Sequence, residues 1–234
     1  MKTIGIVSDF HVPFQDDKAV NKAMNILKDE KPETIVVDGD LIDCWEVSKF
    51  NQVPRFGVEL DQEVEAGYSI LADLRKEHPR ARIIFIEGNH EFRVKSYLLK
   101  NAPRMYHHNW IPERLKLKEL KIEWVPVRMG AARFIDNYIV IDNIHIGHFD
   151  KALQGAGMSV RNLMMRRVGN FVQAHVHKGA VIFKRSIDKE ITFGVETPAL
   201  CRLDPFYSGE CDWQQGISFL RHNGVVWRPE LIVF

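Results

Sequence analysis

The chain has 234 residues, a length that suits one large domain with a substantial buried core. Hydrophobic residues at 45% and charged residues at 27% exclude a disordered tail, a collagen-like rod and a coiled coil. Thirty-two Lys plus Arg against 31 Asp plus Glu leave a formal net charge of +1, so no global field draws polyanions and any affinity for nucleic acid has to be local.

From the N-terminus, Thr3 to Val7 is an apolar, β-rich run that stops at Ser8 and Asp9, shorter than the roughly 7 to 15 apolar residues of a signal peptide. Val20, Ala23, Met24 and Leu27 then recur at i, i+3, i+4 and i+7, which predicts a helix capped by Asp16 or Asp17 and ended before Pro32. Thr34 to Val37 reads as a second strand. Leu60, Val64, Gly67, Leu71 and Leu74 hold a helical period until Pro79, and Ile83 to Ile86 reads as a third strand. This alternation predicts a parallel core sheet with right-handed crossovers. Strands are next expected at Ile122 to Val125, Phe134 to Ile141 and Ile144 to Ile146, and a helix near Ser159 to Val168. Phe171 to Ala174, Ala180 to Phe183, Ile191 to Val195, Gly216 to Leu220 and Val225 to Phe234 are closely spaced runs that predict a second, mostly antiparallel sheet. No linker, low-complexity tract or repeat divides the chain, so a single domain over residues 1–234 is expected. No apolar run approaches the roughly 20 residues of a membrane span. Cys44, Cys201 and Cys211 are odd in number and widely spaced, as free thiols in a cytoplasmic protein would be.

The chemistry gathers where strands are expected to end. The first runs into Asp9 and His11, the second into Asp40 and Asp43, and the third into Asn89, His90 and Glu91. Carboxyl ends of strands form the ligand crevice in open α/β sheets, so these groups should converge. His145, His148, His175 and His177 add imidazoles in the later half. Carboxylates, an amide oxygen and imidazoles without thiolates suit divalent metals such as manganese, iron or zinc. Two ions roughly 3.5 to 4 Å apart, sharing one carboxylate, would accommodate seven or eight such ligands.

Asp9-x-His11, Gly39-Asp40-x-x-Asp43, Gly88-Asn89-His90-Glu91, a lone His and His175-x-His177, in that order over about residues 4 to 180, resemble the motifs of the calcineurin-like metallophosphoesterases. The resemblance implies a four-layer α/β/β/α fold, two packed mixed β-sheets flanked by helices, and a dinuclear phosphoesterase. It implies that Asp9, His11 and His177 hold one metal, that Asn89, His148 and His175 hold the other, and that Asp40 bridges them. His90 would lie beside the substrate without ligating, oriented by Asp43. The implied cofactors are two divalent ions, manganese first, with iron, zinc, nickel or magnesium as alternatives. Such a pair would neutralise phosphate oxygens and acidify a bridging water to give the attacking hydroxide. His90 would protonate or stabilise the leaving alkoxide, with Asp43 fixing its tautomer and keeping the imidazolium populated.

Three positions depart from the family pattern. Ala174 stands where the last motif usually begins with Gly, a small change. Gly147 precedes His148, where the lone His commonly precedes a Gly, and His145 lies three residues upstream. Strand parity sends these two imidazoles to opposite faces, and the one beyond the strand's end, His148, is favoured. Cys44 and Trp45 follow the second motif, where protein Ser/Thr phosphatases of the superfamily place a phosphate-binding Arg, which argues against that branch.

Taken singly, Asp9 and Asp40 would read as caps or turn residues, Asn89 as a turn residue and Asp43 as an N-cap. The activity expected is hydrolysis of a phosphodiester in a nucleotide or nucleic acid such as DNA. The alternatives are a phosphomonoesterase and a silent metal-binding scaffold. Arg93 is a candidate for the substrate phosphate or for an ion pair on a helix face. Arg161, Arg166, Arg167, Lys184 and Arg185 form a basic tract, either a solvated surface or a nucleic-acid contact. Gly155 and Gly157 mark a loop that clamps substrate or merely turns the chain. Trp213, Gln214, Gln215 and Gly216 carry no chemistry beyond the start of a strand.

Overall fold

The computed structural model describes residues 2–49, 59–108, 110–128, 137–185, 190–204 and 211–234. In the first half, β1 (Lys2–Val7), β2 (Thr34–Asp38), β3 (Arg82–Ile86) and β4 (Ile122–Val125) alternate with α1 (Asp17–Glu30), α2 (Leu60–Glu77), α3 (Phe92–Asn101) and α4 (Trp110–Arg114). In the second half come β5 (Asn137–Ile141), β6 (Ile144–His148), α5 (Met158–Arg166), β7 (Asn170–Gln173), β8 (Ala180–Arg185), β9 (Ile191–Glu196), β10 (Gly216–His222) and β11 (Trp227–Val233). Asp16 caps α1, its side chain accepting from Lys18 N and Ala19 N. The expected strand from Phe134 begins at Asn137, residues 134–136 lying outside the described residues. The sequence reading did not foresee α3 or α4. Only Phe92 and Val94 of α3 and Ile111 of α4 are buried, too few for a readable stripe.

Two sheets form, ordered β11-β10-β1-β2-β3-β4 and β5-β6-β7-β9-β8. The first is parallel from β1 to β4, as the crossover pattern predicts. The last hairpin departs from expectation. β10 pairs antiparallel with β1, Ile4 opposite Leu220, so β10 and β11 extend the first sheet rather than the second. The second sheet is mixed: β6, β7 and β9 run parallel, while β5 and β8 pair antiparallel at its edges. Its parallel centre arises because α5 carries the chain back from β6 to β7, a crossover that a hairpin turn cannot make.

The sheets pack face to face. Ile4, Ile6, Val36, Ile84 and Ile86 of the first meet Ile144, Ile146, Val172, Phe193 and Val195 of the second. On the far side of the first sheet, Val7, Ile35, Val37, Ile83 and Phe85 bury against Leu27 of α1 and Val64, Leu71 and Leu74 of α2. Outside the second, Val160, Leu163 and Met164 of α5 cover Phe171. Central strands buried on both faces read as unbroken apolar runs, and each fully buried Leu, Ile or Phe contributes about 1.5–3 kcal/mol. Among the described residues no helix is long and apolar enough to cross a membrane.

Candidate metal centre

All the motif residues stand at carboxyl ends of strands. Asp9 and His11 follow β1, Asp40 and Asp43 follow β2, Asn89 and His90 follow β3, His148 is the last residue of β6, and His175 and His177 follow β7. The loops after β1 and β2 are laced together by His11 N donating to Asp40 O (2.9 Å), Val12 N to Leu41 O (2.9 Å) and Asp43 N to Val12 O (3.0 Å). His175 N donates to Asp9 Oδ2 at 3.1 Å, which ties the second sheet to the first. Asp9, His11, Asp40, His175 and His177 all have positive φ. Such backbone costs of order 1–3 kcal/mol per residue, and it clusters where function demands it. Gly39, at φ +78°, adds close approach: a Cβ there would collide with the His148 ring.

Two groups of donor atoms result. Asp9, His11 and His177 form one, and Asp40, His148 and His175 the other, the ligand atoms within each lying within 4.8 Å of one another. His177 Nε2 is 3.2 Å from Asp9 Oδ1, and His148 Nε2 is 3.1 Å from Asp40 Oδ2. Asp40 Oδ2 is also 3.8 Å from His11 Nε2, so this one oxygen faces both groups. Asn89 Oδ1 joins the second group, 2.9 Å from His148 Nε2. A third group is formed by His11, Asp40 and His90, whose donor atoms also lie within 4.8 Å of one another, a grouping the sequence did not suggest.

The buried polar atoms test whether a cation suits this cage. Among the described residues, the buried Asp9 Oδ1 and Asp40 Oδ2 have the His177 and His148 nitrogens close by but no well-aligned hydrogen bond, which costs free energy unless something positive faces them. Burial pushes the Asp9 carboxyl up, but His177 and His11 hold it well below the usual carboxylate range. Asp40 is likewise held down, by His148 and His90, against its burial. The same attraction, acting against desolvation, raises His11 to about 10 through Asp43 and Asp9, and His148 to about 10 through Asp40. Burial, and then the neighbouring His148, pushes His175 down to about 3. Divalent cations would supply the positive charge that these buried carboxylates call for, so the residues fit the group.

His145 lies on the opposite face, stacked on Phe171 with ring centroids 4.9 Å apart. The structure thus brings His148, not His145, to the other candidates, as parity predicts. Asp43 does not act as a helix cap. The short turn Trp45–Val47 is preceded by Cys44, without a side-chain cap bond. Asp43 Oδ1 instead takes His11 Nδ1 at 3.0 Å and His90 Nδ1 at 2.8 Å. Arg93 Nη1 reaches Asp43 O at 2.7 Å and Oδ2 at 3.2 Å, while Nη2 lies 2.9 Å from His90 Nε2. Arg93 is therefore inside the site, and Nε2 of His90 accepts from it, which assigns the Nδ1–H tautomer. Burial lowers the His90 pKa and His11 repels its charge, while Asp40 and Asp43 pull the other way.

Sequence reasoning gave no role to three supporting carboxylates. Glu91 is fully buried and accepts from Asp40 N (3.0 Å), Gly88 N (2.9 Å) and Ile42 N (3.1 Å), pinning the loop after β2 to the one after β3. Its place beside His90 in the motif was the available signal. Asp38 is buried with neither oxygen bonded, and burial raises it to about 8. Glu63 of α2 accepts from Trp45 N at 3.0 Å and so braces the turn after Asp43. Burial and then Asp43 raise Glu63 from 4.5 to about 8. A folded pKa above the unfolded one gives stability that is complete below about pH 4.5 and is lost as pH rises through 8. Glu63→Gln should therefore match the wild type near pH 5 and exceed it near pH 8.5, by at most about 4–5 kcal/mol. Melting temperatures measured at both pH values check this, and a difference independent of pH would contradict it.

Four residues of the basic tract, all but Arg161 near the start of α5, are not at this rim. Arg166 and Arg167 precede the amino end of β7, and Lys184 and Arg185 pair with the amino end of β9, opposite the carboxyl ends that carry the ligands. Arg167 lies over the Tyr138 and Phe149 rings. Gly157 is the N-cap residue of α5, at φ +81°.

Comparison with known proteins decides the family. The model for calcineurin-like phosphoesterases matches residues 2–190. The chain belongs to the calcineurin-like phosphoesterase family. It is similar to the Gene 54 protein of Mycobacterium phage D29, 30% identical over 244 residues, covering 99% of this chain and 93% of that one. The Gene 54 protein of Mycobacterium phage L5 is 23% identical over 240 residues, with the same coverage. Among solved structures, Chaetomium thermophilum Vps29 aligns with a TM-score of 0.47 at 10% identity, covering 100% of this chain and 98% of that one. The E. coli phosphoesterase Yfce aligns at 0.45 and 12%, covering 94% and 89%. The phosphoesterase family, the pair of mixed sheets between helices and the candidate metal-ligand clusters agree with one another.

Proposed function

We propose that this phosphoesterase is a two-metal phosphodiesterase acting on nucleotide or nucleic-acid esters. The observation that carries the reading is the pair of donor groups meeting at Asp40, with the buried Asp9 Oδ1 and Asp40 Oδ2 each turned to an imidazole nitrogen of its group, His177 Nε2 at 3.2 Å and His148 Nε2 at 3.1 Å. Asp9, His11 and His177 would hold one ion, Asn89, His148 and His175 the other, and Asp40 both. Manganese is the first choice for this thiolate-free set, with iron, zinc, nickel or magnesium as alternatives. Bound there, two divalent ions supply charge neutralisation at phosphate oxygens and an acidified water. Asp43 orients His11 through Nδ1, as ligating imidazoles usually require, and holds His90 and Arg93 in place. Arg93 would turn from His90 towards a phosphate oxygen, and His90, protonated on Nε2 with Asp43 balancing the charge at Nδ1, would then donate that proton to the leaving oxygen.

The diester preference rests on charge. The position after the second motif holds Cys44 and Trp45, 0% and 7% exposed, so no guanidinium stands there for the extra charge of a monoester. We take the cytoplasm as the compartment, on the three cysteines standing as free thiols.

Metal-loaded protein offered p-nitrophenyl phosphate, bis(p-nitrophenyl) phosphate and single-stranded DNA tests the reading. Faster turnover of the bis-ester is expected. The reverse order would make the protein a phosphomonoesterase, and tight metal binding without turnover of any ester would make it a scaffold.

A further inference from the structure

Trp213 lies outside the motifs and the donor groups, yet its ring rests against one of them. The indole meets His177 in a T-shaped contact, ring centroids 4.2 Å apart, and His177 Nε2 is 3.2 Å from Asp9 Oδ1. One imidazole thus separates the indole from an oxygen that would face a cation. The residue is half-buried, unlike the fully buried Phe85 and Phe219 of the core, so part of it stays accessible while its ring rests on His177.

The segment carrying Trp213 is fastened to the loop of His177. Gln214 N donates to His177 O at 2.8 Å, Gly179 N donates to Gln214 Oε1 at 2.8 Å, and Ala199 N donates to Gln214 O at 3.0 Å. Lys178 Nζ pairs with Asp212 Oδ1 at 2.8 Å. Gly179 permits the close approach, since a Cβ there would lie 3.1 Å from Gln214 Oε1 and 3.0 Å from Pro198 Cγ. An aromatic surface fixed before the ligand arrives loses little conformational freedom on binding.

Resting on the phosphodiesterase reading above, we infer that Trp213 is a stacking platform for the base of a nucleoside ester whose phosphate lies at the metal cage. A nucleoside carries its base within a sugar's length of its phosphate, and an indole beside the cage offers a flat π-surface at that range. Stacking recognises any base because every base has a π-face, and it changes affinity by roughly 5- to 150-fold. The substrate class is therefore nucleoside phosphodiesters without a marked base preference.

Two esters with the same leaving group test the inference: thymidine 5′-(p-nitrophenyl phosphate) and methyl p-nitrophenyl phosphate. In wild type, kcat/KM for the thymidine ester should exceed that for the methyl ester by about 10-fold or more. In Trp213→Ala this ratio should fall towards one with metal content retained, and Trp213→Phe should restore most of it. Binding of thymidine 5′-monophosphate against methyl phosphate, measured by calorimetry, should lose the same preference in Trp213→Ala. A ratio near one in wild type, an unchanged ratio in Trp213→Ala, or loss of metal from that variant would overturn the inference, the last making Trp213 a brace for His177. Failure of wild type to hydrolyse either ester, while the base still tightens binding through Trp213, would instead overturn the phosphodiesterase reading and leave the platform standing.

Discussion

Replacing Asp40 with asparagine is expected to weaken both halves of the metal centre at once. The substitution keeps the shape and one useful bond, because Oδ1 accepts from His90 N at 2.9 Å and an amide oxygen can do the same. It removes the charge from Oδ2, which stands 3.1 Å from His148 Nε2 in one donor group and 3.8 Å from His11 Nε2 in the other. Loss of groups that merely orient metal ligands already costs about 10- to 100-fold in metal affinity. Removal of a shared anionic ligand should exceed that for each ion. Elemental analysis of Asp40→Asn after reconstitution should find both ions depleted in parallel, with hydrolysis lost alongside. Depletion of one ion while the other binds as in wild type would show that Asp40 serves a single site.

His90→Ala is expected to behave in the opposite way, leaving the metals and losing the chemistry. His90 Nε2 lies 3.8 Å from Asp40 Oδ2, and donor atoms of His11, Asp40 and His90 lie within 4.8 Å of one another. Each proposed ion nonetheless has its full set of donors without it. What His90 does have is a fixed direction, with Nδ1 held by Asp43 Oδ1 at 2.8 Å and Nε2 turned to Arg93. A group so oriented beside the cage serves the leaving oxygen, a contribution worth roughly 10²–10⁴ in kcat. The loss should be largest for alkyl leaving groups and small for p-nitrophenolate, whose negative charge needs little help. Metal content should stay at the wild-type value. A variant that lost an ion would make His90 a ligand, and equal losses on good and poor leaving groups would remove its role at the leaving oxygen.

The site was legible to the extent that its residues lie in short motifs at the ends of apolar runs. Asp9, His11, Asp40, Asn89, His175 and His177 could be picked out because five short motifs in order resemble one family's pattern, each taken singly reading as a cap or turn residue, and strand parity with position beyond the strand's end favoured His148 over His145. The supports were not legible. Glu91 reaches Asp40 and Ile42 across about fifty positions, and Glu63 braces a turn eighteen positions away. Neither has a periodic signature, because each answers an unpaired backbone N–H that exists only after the loops have met. Asp43 shows the same limit. Its tie to His90 was expected, but its second bond, to His11, depends on how the loops after β1 and β2 lace together.

Local sequence thus determined the strands, the two main covering helices and the donor types, since hydrophobic period and turn chemistry act within a few residues. Tertiary structure alone decided that β10 joins β1 and not the second sheet, that His90 sits between Asp43 and Arg93, and that Trp213 comes to lie against His177. Each of these is a choice among partners distant in the chain, and such choices are settled by which faces can be buried together and by the charges that burial then forces into contact.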